Sequence, residues 1–143
     1  QLMPLVLIDK PGGTYWKTWE KHVREHLLRN ELISSEDLGF WKITDDPAEA
    51  VKCVARFYRN FHSYRFVRGE LVIRLQHALS ETALEALNED FADIIEGEPV
   101  RSIDVTEDER GDDDWVNLPR VAFGFDRKSY ARLHELIGVL NNY

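Results

Sequence analysis

The chain contains little of what small proteins use for covalent or metal-based stabilisation. One cysteine, Cys53, occurs among its 143 residues, which excludes an internal disulfide framework and a multi-cysteine zinc site. Proline and glycine together account for 13 residues, too few for a fibrous or low-complexity chain. No apolar run approaches the length that crosses a bilayer, and the N-terminus does not resemble a signal peptide. We therefore expect a folded cytoplasmic protein without a membrane segment.

Charge is unevenly divided along the chain. Residues 1–69 carry 11 basic and 9 acidic side chains, whereas residues 70–143 carry 7 basic and 17 acidic ones, and the net charge is −8. This excess of negative charge argues against general nucleic-acid binding. The composition changes at Arg68-Gly69-Glu70. We therefore predict two domains, residues 1–68 and residues 69–143.

The first half is predicted to alternate strands and helices. Met3 to Ile8 is a continuous apolar run, typical of a strand buried on both faces of a parallel sheet. A turn with Thr14 as candidate N-cap precedes a predicted helix over 15–29, and a strand over 40–44 precedes a helix that Asp46 caps and Pro47 opens. This order predicts part of a doubly wound, Rossmann-like α/β unit. Because two such strands need neighbours, and the chain begins within one, we expect a fragment of a longer protein.

The second half is predicted to form a small α+β domain in the order βαββα. Alternating apolar residues predict strands over 71–76, 103–105 and 121–125, with two amphipathic helices on one face of the sheet. Ser80 is the predicted N-cap of the first of these helices. This order resembles a ferredoxin-like or ACT-like half-domain, whose open edge could pair with another subunit. The segment Glu107–Asp114 lacks the EF-hand spacing, and we predict a solvated or disordered loop there.

Two segments are candidates for binding phosphate. The first, Pro11-Gly12-Gly13-Thr14, lies between a predicted strand and helix, where backbone N–H groups can contact a phosphate. The dinucleotide-binding and phosphate-loop spacings are both absent, so a structural turn is the favoured interpretation.

The second segment, residues 56–68, interleaves four arginines with aromatic residues. This pattern can bind single-stranded nucleic acid, but the acidic remainder of the chain would repel a polyanion. We favour a helix end and linker packed against the α/β unit, with the arginines paired to acidic side chains. A small phosphate ligand is the intermediate alternative. The candidate phosphate or nucleotide contacts are therefore Gly12, Gly13, Thr14, Arg59 and Arg65.

Catalytic and metal-binding residues are not predicted. His22 and His26 are four residues apart on a predicted helix, a spacing that can hold zinc, but no convincing third ligand accompanies them. We interpret them as solvent-facing. No nucleophile and base can be paired from the sequence, so we predict no catalytic residue, metal or cofactor in this chain.

Four segments occur in an order that resembles a known family. They are Met3-Pro4-Leu5-Val6-Leu7-Ile8-Asp9, Gly12-Gly13-Thr14-Tyr15-Trp16, Leu32-Ile33-Ser34-Ser35-Glu36-Asp37-Leu38 and Ile43-Thr44-Asp45-Asp46-Pro47-Ala48-Glu49-Ala50. Together they resemble the C-terminal third of the Rossmann-like domain of the LOG family, nucleoside-monophosphate phosphoribohydrolases formerly labelled lysine decarboxylase-like. A weaker resemblance, to a C-terminal extension of longer members, rests on Leu118-Pro119-Arg120 and on Arg132-Leu133 with Leu136-Ile137.

This resemblance implies a parent protein that hydrolyses the N-glycosidic bond of nucleoside 5′-monophosphates without a redox cofactor or metal. It also implies a homodimer with a small nucleotide ligand. The family signature is Pro-Gly-Gly-x-Gly-Thr-x-x-Glu, and this chain departs from it after Thr14, with Tyr15, Trp16 and Trp19 at its Gly, Thr and Glu positions. We therefore transfer no catalytic residue and expect the chain alone to be inactive. The alternative is that residues 69–143 form a non-enzymatic assembly or effector-binding module.

Overall fold

The structure, a computed structural model, describes residues 2–113 and 115–143. The chain divides into two compact units, residues 2–57 and residues 58–143, and we describe each by itself. The first unit contains a parallel sheet of two strands and the second an antiparallel sheet of four. Among the described residues, no helix combines the length and the apolar character needed to cross a membrane.

The first unit has the predicted order of strand, helix, strand and helix. Its elements are β1 (Leu5–Ile8), α1 (Tyr15–His22), β2 (Trp41–Thr44) and α2 (Pro47–Phe57). The helical path of α1 continues in π-helical geometry over Val23–Leu28, and a 3-10 turn over Glu36–Phe40 leads into β2. Strands β1 and β2 are parallel, as predicted, with Leu5 opposite Trp41 and Ile8 opposite Thr44.

Aromatic side chains attach α1 to the two strands. The indole Nε1 of Trp16 donates to the Ile8 carbonyl at 3.1 Å, and that of Trp41 donates to Glu20 Oε1 at 3.2 Å. The rings of Trp19 and Trp41 meet edge to face at 5.2 Å. Much of the apolar surface of this unit nevertheless stays exposed, at Met3, Leu5, Ile8, Tyr15, Trp19, Leu32, Val51 and Val54.

The described residues of the second unit form four strands, one more than the sequence predicts. Its elements are β3 (Phe61–Val67), β4 (Glu70–Leu75), α3 (Glu81–Asp90), β5 (Arg101–Ile103), α4 (Glu107–Gly111), β6 (Arg120–Phe123) and α5 (Tyr130–Leu140). The strands lie in the order β3-β4-β6-β5, and each neighbouring pair is antiparallel.

The prediction of a helix end and linker over residues 56–68 is wrong for its second part, because residues 61–67 form β3. Arg68 and Gly69 both have positive φ angles, 50° and 98°, as in the two-residue turns that join antiparallel strands. The residues at which the charge composition changes are thus a hairpin turn inside the second unit. The two compact units divide instead between Phe57 and Tyr58.

The two faces of the four-stranded sheet differ in chemistry. Side chains alternate between faces along a strand, so Leu71, Ile73 and Leu75 of β4 share one apolar face with Val121 and Phe123 of β6. The opposite face combines the buried cluster of Val67, Val72 and Ala122 with the buried charges of Arg74 and Arg120. The second face therefore requires a polar covering element.

Helix ends agree in part with the predicted caps. The Ser80 side chain accepts from the Ala83 N–H, and Asp46 Oδ1 accepts from the Ala48 N–H at 2.8 Å, as predicted. Thr14 makes no such side-chain bond. Instead, Asp9 Oδ2 accepts from the Tyr15 N–H at 2.8 Å, so a carboxylate from the preceding turn serves the start of α1.

Candidate functional site

Two aspartates follow the carboxyl ends of the parallel strands in the first unit. Asp9 comes directly after β1 and Asp45 directly after β2, and the Asp9 N–H extends the pairing by donating to the Thr44 carbonyl at 2.9 Å. The carboxyl ends of neighbouring parallel strands are where open α/β sheets bind ligands. This edge of the sheet is therefore a candidate ligand-binding site.

The turn over residues 9–14 uses these aspartates to satisfy its own backbone. Gly12 N–H donates to Asp45 Oδ2 at 2.9 Å, Gly13 N–H donates to the Lys10 carbonyl at 2.7 Å, and Lys10 N–H donates to Asp9 Oδ1 at 2.9 Å. The bond from Gly12 lowers the pKa of Asp45, so its carboxylate stays charged.

The local structure of the turn explains why both positions are glycine. Gly12 has a φ angle of 70°, which side-chain-bearing residues rarely adopt, and a Cβ at Gly13 would lie 2.2 Å from Asp9 Oδ1. The N–H groups of Gly12 and Gly13 are already bonded, to the Asp45 carboxylate and to the Lys10 carbonyl. This geometry favours the structural interpretation of Pro11-Gly12-Gly13-Thr14 over a phosphate-binding loop.

An open groove lies beside this turn along α1. Its volume is about 610 Å³, and we call it the α1 groove. It is lined by Asp9, Lys10, Thr14, Tyr15, Thr18, Trp19 and His22. The Tyr15 side chain is 70% exposed and Trp19 is 37% exposed, so two aromatic residues face solvent beside fixed polar groups.

His22, the last residue of α1, and His26, in the π-helical segment that continues it, do not form a recognisable metal site. The rings of His22 and His26 lie 4.5 Å apart, and both residues are exposed. Across residues 2–113 and 115–143, no group of three or more histidine, cysteine, aspartate or glutamate side chains is arranged to hold a metal ion.

The remaining candidate contacts, Arg59 and Arg65, belong to the second unit, whereas Gly12, Gly13 and Thr14 belong to the first. Arg59 is exposed. Arg65 Nη1 lies 3.0 Å from Asp112 Oδ2, and the neighbouring Arg68 pairs with Glu107 and Asp108 at 3.2 Å each. The predicted pairing of these arginines with acidic side chains is thus confirmed at Arg65 and Arg68.

Two of these acidic partners, Glu107 and Asp108, lie on a helix that the sequence patterns did not predict, and Asp112 follows that helix directly. The prediction of a solvated or disordered loop over residues 107–114 is wrong for 107–111, which form α4; Asp114 lies outside the described residues. Thr106 Oγ1 accepts from the Glu109 N–H, and the Glu109 carboxylate accepts from the Thr106 N–H. This reciprocal capping box, visible in the sequence as Thr-x-x-Glu, is the signal that could have identified the helix.

Glu109 lies at the centre of a buried ionic cluster with Arg74 and Arg120. Its Oε1 accepts from Arg74 Nε at 2.9 Å, and its Oε2 lies 3.3 Å from Arg120 Nε. Side-chain exposure is 0% for Glu109, 4% for Arg74 and 2% for Arg120.

Other N–H groups of the two arginines donate hydrogen bonds to a serine hydroxyl and to backbone carbonyl oxygens. Arg74 Nη1 donates to Ser63 Oγ at 3.1 Å, and Arg120 donates to the carbonyls of Leu118 and Trp115. The arginines come from the polar face of the sheet, so α4 covers that face through Glu109. Arginines inside the apolar strands at 71–75 and 120–123 were the sequence signal for such a cluster.

Comparisons of this chain with protein-family models, with curated proteins and with solved structures found no match.

Proposed function

We propose that residues 2–57 are the edge part of a Rossmann-like, nucleotide-binding sheet in a LOG-like protein that hydrolyses the N-glycosidic bond of nucleoside 5′-monophosphates. The observation that carries the proposal is the pair of parallel strands β1 and β2, connected through α1. Asp9, Asp45 and the α1 groove lie at their carboxyl ends, where this class of sheet binds ligands.

Exposed apolar side chains in the first unit support the proposal that its two strands belong to a larger sheet. Leu5 and Ile8 on β1 are 48% and 47% exposed, and Val51 on α2 is 68% exposed. Two strands are too few for an independently stable sheet, and such surface is stabilised when further strands and helices cover it. In this proposal other parts of the larger protein supply the missing strands and the catalytic residues, and residues 1–143 alone do not catalyse the reaction.

The test compares the full-length protein with residues 1–143. Each is incubated with AMP, GMP, CMP or UMP, and the free base and ribose 5-phosphate are quantified by chromatography, with the unphosphorylated nucleosides as controls. We expect base release from at least one nucleotide by the full-length protein and none by residues 1–143. The absence of release from every nucleotide by the full-length protein contradicts the proposed hydrolase.

A second candidate function concerns residues 58–143. In the sheet formed by the described residues, the outer strands β3 and β5 are each paired on one side, and β3 is seven residues long. A long edge strand is a surface on which a second chain can add a strand. We propose, as the alternative, an ACT-like assembly or effector-binding module that forms a homodimer.

Light scattering and thermal unfolding of residues 58–143 test this alternative. A dimer, or a rise in melting temperature on addition of a nucleotide or amino acid, supports it. A monomer at every concentration, with no shift from any added ligand, contradicts it.

A further inference from the structure

We propose that α2 of one copy of this chain binds α3 of a second copy through opposite charges on their exposed faces. The two helices belong to different units of the chain, so the contact joins unlike surfaces and is heterologous. Each copy can offer α2 to one neighbour and α3 to another, and association can therefore continue beyond a dimer. The inference goes beyond the proposed function and does not depend on it.

The exposed face of α2 carries basic and small side chains. Lys52 and Arg56 are four residues apart, so they lie next to each other on one side of the helix. The opposite side is turned inward, with Ala50 and Phe57 buried. We call the exposed residues on the basic side the α2 basic stripe; they are Ala48, Lys52, Ala55 and Arg56.

The positive charges of the α2 basic stripe are not neutralised within the chain. In the part of the chain that the structure describes, neither Lys52 nor Arg56 forms an ion pair. Glu49, the acidic residue on the same helix, is engaged elsewhere, because its carboxylate accepts from the Thr44 hydroxyl and lies 3.4 Å from Lys42 Nζ. A partner with acidic groups can therefore pair with both basic side chains.

The exposed face of α3 carries the opposite charge. Its glutamates recur at every fourth residue, about one helical turn apart, and all three are exposed. The buried side of the same helix consists of Ala83, Leu84 and Leu87. Among the described residues, none of the three glutamates has an ion-pair partner. We call the outward-facing residues the α3 acidic stripe; they are Glu81, Thr82, Glu85, Ala86 and Glu89.

The two stripes match in spacing as well as in charge. Residues four apart on a helix have Cβ atoms about 5–6 Å apart, so Lys52 and Arg56 can face two successive glutamates of α3 at once. Ala55 on α2 and Ala86 on α3 are small, so the two helix axes can approach to about 8–10 Å, the usual distance for packed helices. A second copy of the chain therefore supplies both the charge and the shape that fit the α2 basic stripe.

Symmetric contacts between copies are disfavoured by the same charges. Two α2 helices packed through the stripe would bring Lys52 and Arg56 close to their own counterparts, and two α3 helices would bring glutamates together. Each copy also carries a net charge of −8, so copies repel each other unless opposite charges meet locally. We therefore expect a weak association of defined orientation.

Sedimentation velocity of residues 1–143 over a range of protein concentrations tests the contact. We expect the average mass to rise with concentration, and the association to weaken by about tenfold between low and high salt, because exposed ion pairs are screened. Reversing the charges of α2, with Lys52→Glu and Arg56→Glu, should weaken association by about tenfold or more. Reversing those of α3, with Glu81→Lys and Glu85→Lys, should have the same effect.

Combining the reversals tests whether the two stripes pair with each other. A chain that carries all four substitutions has complementary charges again, so it should associate as the parent chain does. An equimolar mixture of the two double variants should also associate, because each supplies the native stripe that the other lacks.

Two further double variants are controls of equal charge change. Lys17→Glu with Lys21→Glu alters exposed residues of α1, and Glu96→Lys with Glu98→Lys alters exposed residues beyond α3. We expect neither to change the association. Every substituted side chain is exposed, and circular dichroism of each variant reports whether the fold is retained.

The remaining outcomes overturn the contact. A chain that stays monomeric at every concentration contradicts it, and so does an association that salt or the charge reversals leave unchanged. Loss of association in the α2 variant alone indicates a symmetric contact between α2 helices instead. An association through the edge strand β3 would survive every reversal on α2 and α3, so the assembly module and this contact can fail separately.

Discussion

At the scale of single residues, Glu109 stands out as a charged side chain in a fully buried environment. Its carboxylate is fully buried, and it accepts hydrogen bonds from Arg74, the Thr106 hydroxyl and the Thr106 N–H. Removing a charged group from water is costly unless its bonds and its countercharges are supplied in the protein. Glu109 therefore serves α4 and the sheet at once, as a cap for the helix and as a countercharge for the arginines.

We predict that Glu109→Gln lowers the free energy of unfolding by about 3–5 kcal/mol, because it removes the countercharge between Arg74 and Arg120. Glutamine can still accept the capping bonds through its single oxygen, so the substitution leaves the helix cap in place while it removes the charge. Urea unfolding of both proteins measures the difference. The control is Glu107→Gln, whose parent side chain is 87% exposed and whose expected cost is below about 1 kcal/mol. Equal losses in the two variants would contradict a special role for the buried charge.

We predict that the titration of Glu70 depends on Arg101. Arg101 Nη1 and Nη2 lie 2.7 and 3.0 Å from Glu70 Oε1 and Oε2, and this pairing lowers the pKa of Glu70. A lowered pKa in the folded state stabilises the fold above the unfolded-state pKa. That stabilisation is lost as the pH falls through the folded-state pKa. Carboxyl NMR should show the Glu70 pKa rising in Arg101→Gln, whereas Arg110→Gln should leave it unchanged.

At the scale of elements, β3 shows how one buried amide can position a strand. Asn141, at the end of α5, accepts from the N–H groups of Asn60 and Phe61 at 2.7 and 2.8 Å. Asn60 returns a bond from its side-chain nitrogen to the Leu140 carbonyl at 3.3 Å. Residues far apart in sequence thus satisfy the backbone where the edge strand begins, and Phe61 follows as a fully buried side chain.

We predict that Asn141→Ala costs about 2–4 kcal/mol of unfolding free energy, because it leaves two buried backbone donors without this acceptor. The neighbouring Asn142 is exposed, so Asn142→Ala is a matched control, with an expected change within about 0.5 kcal/mol. Urea unfolding measures both, and amide hydrogen exchange at Asn60 and Phe61 should accelerate in Asn141→Ala alone. Unchanged exchange at these two amides would contradict the assigned role.

At the scale of the whole molecule, the division between units and the division of charge fall at different places. The chain divides into its two units between Phe57 and Tyr58, whereas the charge changes at the hairpin residue Gly69. Arg65 on β3 pairs with Asp112, and Arg68 in the hairpin turn pairs with Glu107 and Asp108, so these countercharges come from the acidic half. The basic excess before Gly69 and the acidic excess after it are therefore partly neutralised within one unit.

We predict that residues 58–143 fold cooperatively and that residues 69–143 do not. The shorter chain lacks β3, which exposes the side of β4 that pairs with it and removes the fully buried Phe61. Losing that side chain alone is expected to cost about 3–5 kcal/mol, a large part of the stability of a small domain. Circular dichroism and urea unfolding of the two shortened chains measure the difference. A cooperative transition of equal midpoint in both would place the boundary at Gly69 after all.

Local patterns were sufficient for most elements but not for those stabilised by distant residues. The apolar run before Asp9 predicted β1, and the caps Asp46 and Ser80 predicted the starts of α2 and α3, because these signals lie within a few residues. Strand β3 was missed because its mixture of aromatic and arginine residues is explained only by contacts in the folded chain. These are its pairing with β4 and the ion pair between Arg65 and Asp112, the residue after α4. Arg65 and Arg68 were correctly expected to pair with acidic groups, but their partners Asp112 and Asp108 lie 47 and 40 positions further along the chain, and no spacing rule identifies them.

The sequence by itself determined the alternation of strand and helix in the first unit, the parallel pairing of β1 and β2 and the helices α3 and α5. Periodicity and capping depend on residues that are close together in the sequence, so they can be recognised before the fold is known. Only the tertiary structure decided that α4 covers an arginine-bearing sheet face, that Asp9 and Asp45 occupy the backbone donors of the glycine turn, and that Tyr15 and Trp19 border an open groove. Each of these depends on groups brought together from separate elements, because the burial of a charge or the engagement of a donor is a property of the folded chain.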